Sequence, residues 1–159
     1  VPQDTKTPGK ADTRKVETRI WLQILSLEST IFSKLNGALT AQFELSVAKF
    51  EFLAQIERCP DGISLGTISS NLKVTSGNVS GLVRRLLADG LITKKMSHED
   101  RRSFIVKFTP KGKKLFDKAN AVHTEKLAEC FAEIPANDLE GWLTTLKTLS
   151  SRIQGHRHE

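Results

Sequence analysis

The chain has 159 residues, 38% of them apolar and 26% charged, and a formal charge of +6 at pH 7. That is one domain's worth of polypeptide, enough to bury a core without disulfides or a structural metal. No apolar run approaches the roughly 18 to 20 residues of a membrane-spanning helix, and five prolines with ten glycines are too few for a collagen-like or disordered chain.

Residues 1–12 contain Pro2, Pro8 and Gly9 without apolar periodicity and read as a disordered tail. The polar stretch 1–15 is not the pattern of a secretory signal, and a start at Val1 reads as a trimmed one. Val16, Ile20, Ile24, Leu27, Ile31 and Leu35 then recur at steps of three and four, which predicts one long amphipathic helix to about Gln42. Trp21, Leu25 and Phe32 add a second apolar edge that needs a cover of its own. A shorter helix starts after Ser46 as N-cap, carries Val47, Phe50, Leu53, Ala54 and Ile56, and ends before Pro60, Asp61 and Gly62.

A short apolar stretch at 63–65 is followed by a brief helix at 67–73 with Ile68 and Leu72 inward. After a break at Val74, Thr75 or Ser76 caps a helix with the stripe Val79, Leu82, Val83, Leu86 and Leu87, and Gly90 stands where a C-terminal glycine belongs. The period then changes from 3.6 to 2. Residues 91–97 and 103–109 form a hairpin with the charged tip His98, Glu99, Asp100, Arg101 and Arg102. Pro110 opens a helix bearing Leu115, Ala119, Val122, Leu127, Phe131 and Ile134; after Pro135, a last helix carries Leu139, Trp142, Leu143, Leu146, Leu149 and Ile153.

Charge is concentrated in the middle of the chain. Residues 71–118 hold twelve basic and four acidic side chains, a net +8, and everything else sums to −2. That is the footprint of polyanion binding, set against the plainer reading of a lysine-rich solvated surface. Two short helices and a cationic hairpin have the layout of a winged helix-turn-helix, in which a helix enters the major groove and the hairpin tip reaches phosphates or the minor groove. Opposite the apolar stripe, the arc facing outward holds Gly77, Gly81 and Ala88, flanked by Asn78, Ser80, Arg84 and Arg85, with no acid before Asp89. The two glycines are expected either to let this backbone approach the duplex closely or merely to mark a weak helix start; Asn78, Ser80 and Arg84 have the chemistry to read bases.

Asn71, Leu72, Val74, residues 75–80 and 82–86, Asp89, Gly90, Leu91 and Ile92, then Asp100, Arg101, Arg102, Val106, Phe108, Thr109 and Gly112, resemble the MarR family of bacterial transcriptional regulators. The Asp-Arg-Arg wing tip followed by Thr-Pro-Lys-Gly is the most specific part. The resemblance implies a mainly α fold with a small β-hairpin wing and an obligate homodimer. Residues 13–45 and 110–155 would pair the protomers, and residues 46–109 would form the DNA-binding lobe. It also implies a ligand cleft between the two regions. Carried over, Arg101 and Arg102 are the wing arginines and Asp100 positions one of them; the chain departs from the family at Gly81, where a larger polar or basic residue is common. The unpaired apolar edges of the first and last helices call for a dimer on their own account.

Double-stranded DNA is thus the expected partner, with Thr75, Ser76, Asn78, Ser80, Arg84, Arg85, Asp100, Arg101 and Arg102 as candidate contacts. The motifs of common enzymes are missing, as is any Tyr, so no catalysis is expected. His98, His123, His156 and His158 are dispersed, which suits surface residues better than metal ligands, and no cofactor is expected. Cys59 and Cys130 have no CxxC spacing and suit a reducing cytoplasm. Cys59, beside Arg58, leaves a redox-sensing alternative; Cys130 reads as packing. A small effector, such as an aromatic acid or its coenzyme A thioester, is the preferred trigger. Trp21, Leu25, Glu28 and Phe32 are the candidate wall near Phe50, and Arg14, Lys15, Arg19, Lys34 and Lys49 are candidate attractors of an anion. The expected protein is a cytoplasmic dimeric repressor. A winged-helix protein-interaction module without DNA binding is the competing class.

Overall fold

The computed structural model describes residues 10–72, 79–98 and 103–155. Six helices and three strands follow in the order α1 (Lys10–Phe43), α2 (Val47–Glu57), β1 (Ile63–Ser64), α3 (Leu65–Asn71), α4 (Val79–Ala88), β2 (Ile92–Met96), β3 (Phe104–Phe108), α5 (Pro110–Phe131) and α6 (Ala136–Gly155). The mainly helical architecture with a small antiparallel wing is the one expected. The first helix begins at Lys10, inside the segment read as tail, and at 34 residues spans about 50 Å.

Local chemistry sets most of the boundaries. Ser46, Ser64 and Thr109 each accept a backbone N–H from the first turn of α2, α3 and α5, at 3.3, 3.0 and 2.9 Å. Asn36 on α1 adds a cap from outside, its side-chain oxygen accepting the Val47 N–H at 3.1 Å. At the end of α4, Gly90 adopts φ +69°; its N–H donates to Leu87 and that of Leu91 to Leu86, both at 3.0 Å. This is the paired closure in which a left-handed residue terminates a helix, so Gly90 is required for its conformation. The caps expected at Thr75 or Ser76 lie outside the described residues.

The strands pair antiparallel in the order β1-β3-β2, with Val106 central, opposite Ile63 on one side and Lys94 on the other. The stretch at 63–65 therefore supplies a third strand, which its length of two residues hid from an alternation test. The core joins Leu35 and Leu39 of α1, Phe50, Phe52, Leu53 and Ile56 of α2, Ile68 of α3, Leu82, Val83 and Leu86 of α4, Val106 of β3, and Phe116 and Ala119 of α5. Phe52, fully buried, was not among the expected inward positions. Several expected ones turn out: Val16, Ile20, Ile24 and Leu27 of the α1 stripe are exposed, and Leu87 is 37% exposed. The last helix buries no side chain, so its entire Trp142, Leu143, Leu146, Leu149 and Ile153 stripe faces outward from the protomer.

Candidate nucleic-acid interface and adjoining cleft

The stripe Leu82, Val83 and Leu86 fixes the rotation of α4, because burying it turns Ser80, Arg84, Arg85 and Ala88 to the outside. Four residues of the helix are thereby committed to the core and its polar face to solvent. Ser80, Arg84 and Arg85 thus share the face proposed to meet a ligand. Gly81 does not: it is buried with the stripe. The idea that Gly81 bares backbone toward a duplex is corrected accordingly, because the residue is covered by the lobe itself. The other expected contacts, Thr75, Ser76, Asn78, Asp100, Arg101 and Arg102, lie outside the described residues, as does Gly77.

Beside α4 stands the wing. The Ser97 N–H donates to Ser103 at 2.9 Å and continues the β2–β3 ladder toward the tip. Alternation along β2 separates its lysines. Lys94 shares a face with Phe104 and lies 4.0 Å from that ring's centroid, an electrostatic contact with the π face. Lys95 is on the opposite face and lines a cavity of 330 Å³ with Thr93, His98, Lys107 and Asp61. Between α3, α4 and the wing runs a 490 Å³ groove with an apolar floor of Leu65, Val79, Val83 and Leu87 and with Ser69, Ser80, Arg84 and Lys94 at its rim. Arg84 of α4 and Lys94 of β2 are therefore held along one groove of the lobe. The acid at the far end of that arc, Asp89, is neutralised: its carboxylate takes the Lys49 ammonium at 2.7 Å. Lys49, a candidate attractor of an anion by its charge, is consequently engaged within the protein.

A second site lies behind α4, where α2, the end of α3 and α5 enclose 470 Å³ lined by Phe50, Glu51, Ala54, Gln55, Arg58, Asn71, Leu72 and His123. Phe50 is only 4% exposed and is sandwiched, its ring centroid 5.4 Å from Phe116 and 4.5 Å from His123. His123 is thus a half-buried stacking partner and not a surface residue, and burial lowers its pKa from the ordinary 6.5. Glu51 shifts upward from 4.5, first because it is partly buried and second because Glu28 of α1 repels its charge. The Asn71 amide donates to Gln55 at 3.2 Å and closes one end. Of the expected ligand wall, Phe50 reaches this cavity and Glu28 acts on it at a distance. Phe32 packs against the core, whereas Trp21, 58% exposed, and Leu25 face away from the protomer. Arg58, Gln55 and Glu51 were missed; they recur on one face of α2 at helical spacing around Phe50 and Ala54, a signal legible only once the α5 partner is known.

Cys59 and Cys130 are both half-buried free thiols. Among the described residues no three His, Cys, Asp or Glu side chains gather as a metal site, and no helix is long and apolar enough to cross a membrane.

Comparison with known proteins agrees with this geometry. The family model described as MarR family matches residues 45–104, which span α2 through the start of β3. A MarR family transcriptional regulator from Silicibacter pomeroyi, known as a crystal structure, is 39% identical, superposes with a TM-score of 0.80 and covers 91% of this chain and 99% of its own. The HTH-type transcriptional regulator BilQ of Clostridium symbiosum is 25% identical over 112 residues, 70% of this chain and 77% of its own. An uncharacterised HTH-type transcriptional regulator of Bacillus subtilis, YkoM, is 28% identical over 83 residues, which are 52% of this chain and 54% of that relative's length. The helix order, the wing and the near full-length likeness to the Silicibacter protein converge: the chain belongs to the MarR family of transcriptional regulators.

Proposed function

We propose that this regulator binds a pseudo-palindromic duplex as a homodimer and represses transcription in the cytoplasm until a small molecule releases it. In this reading α4 enters the major groove with Ser80, Arg84 and Arg85, joined by Thr75, Ser76 and Asn78, while Asp100, Arg101 and Arg102 carry the wing to the neighbouring backbone. Residues 46–109 are the DNA-binding lobe, and residues 13–45 and 110–155 pair the protomers. The observation that carries the reading is the rotation of α4, which buries Leu82, Val83 and Leu86 and leaves both its arginines outward, Arg84 in the groove it shares with Lys94. The wholly exposed stripe of α6 and the apolar outer edge of α1, with Trp21 and Leu25, support pairing, because isolated monomers rarely leave so much contiguous apolar surface open to water.

The cavity at Phe50 and His123 suits a planar, weakly acidic effector. Phe50 and His123 offer apolar contact, Arg58 offers a positive charge, and Gln55 and Asn71 offer amide hydrogen bonds. A dimer brings further walls to such a cleft, and Trp21, Leu25, Glu28 and Phe32 are the candidates for them. Release follows only if the effector binds a DNA-incompetent dimer more tightly than the competent one. The reading is tested by titrating a labelled duplex at increasing salt: neutralising several phosphates per protomer gives a steep fall in affinity, with a log–log slope of about −0.9 per phosphate. Arg84→Ala is expected to relax sequence preference at a cost of about 1–3 kcal/mol on the cognate duplex.

A further inference from the structure

We infer that Asp89, Lys49 and Lys111 form a charged brace that sets the angle of α4 on the lobe, making Lys49 and Asp89 positioning residues for DNA selectivity. The inference rests on the reading of α4 as the helix that meets DNA.

Asp89 directly follows the last residue of α4, and its N–H still donates to the Arg85 carbonyl at 2.8 Å. A carboxylate there faces the negative end of the helix dipole and its unpaired carbonyls, an unfavourable place for an anion. Two ammonium groups from two other elements offset it. The Lys49 ammonium, from the first turn of α2, meets the carboxylate at 2.7 Å, and the Lys111 ammonium, from the first turn of α5, donates to the Asp89 backbone carbonyl at 2.7 Å. The Lys49 side chain is 16% exposed and that of Asp89 46%, so the pair is covered on its α2 side and open to solvent on the other. Immediately beyond, the Thr109 hydroxyl donates to the Gly90 carbonyl at 2.7 Å and its N–H to Leu91 at 3.1 Å. The C-terminal end of α4 is thus tied to α5 by backbone and side chain alike, whereas toward α2 the Lys49 to Asp89 pair adds a charged contact to the apolar packing of the two helices. Lys49 is followed by Phe50, the floor of the effector cavity. A shift of α2 at that cavity therefore carries the ammonium that holds the end of α4.

The test compares wild type, Lys49→Met, Asp89→Asn, the double variant K49M/D89N and the charge-reversed pair K49E/D89K. Each is measured on a duplex selected by the wild-type protein from a random library and on a random duplex, with the thermal midpoint recorded in parallel. Each single variant is expected to lose about five- to tenfold in selectivity while its midpoint moves by no more than about 2 °C. The double variant is no worse than either single one, and the reversed pair returns to within about twofold of wild type. A purely structural role would move selectivity and midpoint together, and an absent pair interaction would leave the reversed pair unrescued; either result overturns the brace. Arg84→Ala separates the two claims. Selectivity lost in Arg84→Ala but kept in Lys49→Met and Asp89→Asn overturns the brace alone, and selectivity kept in all three overturns the reading of α4 together with it.

Discussion

Gly112, in the first turn of α5, is a helical glycine whose replacement by alanine should destabilise, against the helix propensity of the two residues. On propensity alone Gly→Ala in a helix gains about 1 kcal/mol. Here, however, a Cβ would stand 1.8 Å from the Leu91 carbonyl oxygen and 2.7 Å from its carbon, both backbone atoms. Reaching ordinary contact requires α5 and the turn after α4 to separate by about 1.5 Å, which overpacking data price at about 1–3 kcal/mol. The same separation stretches the Thr109 N–H bond to Leu91 and the Thr109 hydroxyl bond to Gly90, each contributing about 1 kcal/mol. The net loss is about 2–4 kcal/mol, or roughly 4–16 °C in midpoint for a chain of this size. Thermal melts at one fixed protein concentration read it, with Gly37→Ala as control; there a Cβ meets nothing within 4 Å and a small gain is expected. A Gly112→Ala protein as stable as wild type would refute the argument that close approach, and not flexibility, requires glycine at this position.

Phe50→Ala removes a buried ring stacked on two others and should cost about 3–5 kcal/mol, read as a lower urea midpoint at unchanged slope; a loss under about 1 kcal/mol would contradict the packing described. Leu146→Glu, on the open stripe of α6, should convert dimer to folded monomer in sedimentation, and an unchanged dimer would remove α6 from the interface. Since burial lowers the pKa of His123, its contribution to stability is complete above the ordinary 6.5 and is lost as pH falls through the lowered value. Glu51 works the other way: its raised pKa gives a contribution present below 4.5 and lost as pH rises through the raised value. Between about pH 7 and pH 5 wild type should therefore lose more stability than His123→Phe, and equal losses would show that the imidazole is not the group responsible.

Periodicity and capping chemistry made much of this protein legible beforehand. Ser46, Pro110 and Gly90 act through contacts a few residues away, so their roles could be read locally, and Leu82, Val83 and Leu86 repeat in a pattern that only one rotation of α4 satisfies. Features that depend on distant segments were hidden. Gly81 was assigned outward on a helical wheel, yet its burial depends on what the rest of the lobe packs against that turn of α4. Ile63 and Ser64 form a strand only because Val106 and Ile105 of β3 lie beside them. His123 looked like a scattered surface histidine until α5 brought it over Phe50, 73 positions earlier in the chain. Lys49 and Asp89, 40 positions apart, show no pattern at all before α2 and the end of α4 are placed together.

The central claim, a paired protein that meets duplex DNA through cationic lobes, is tested most directly by sedimentation of a fluorescent duplex with the protein across a range of salt concentrations. The account expects two protomers on each selected duplex and an affinity that falls linearly on a log–log scale as salt rises, with a slope corresponding to several phosphates per protomer. A single protomer per duplex, or no association even at low salt, would contradict it.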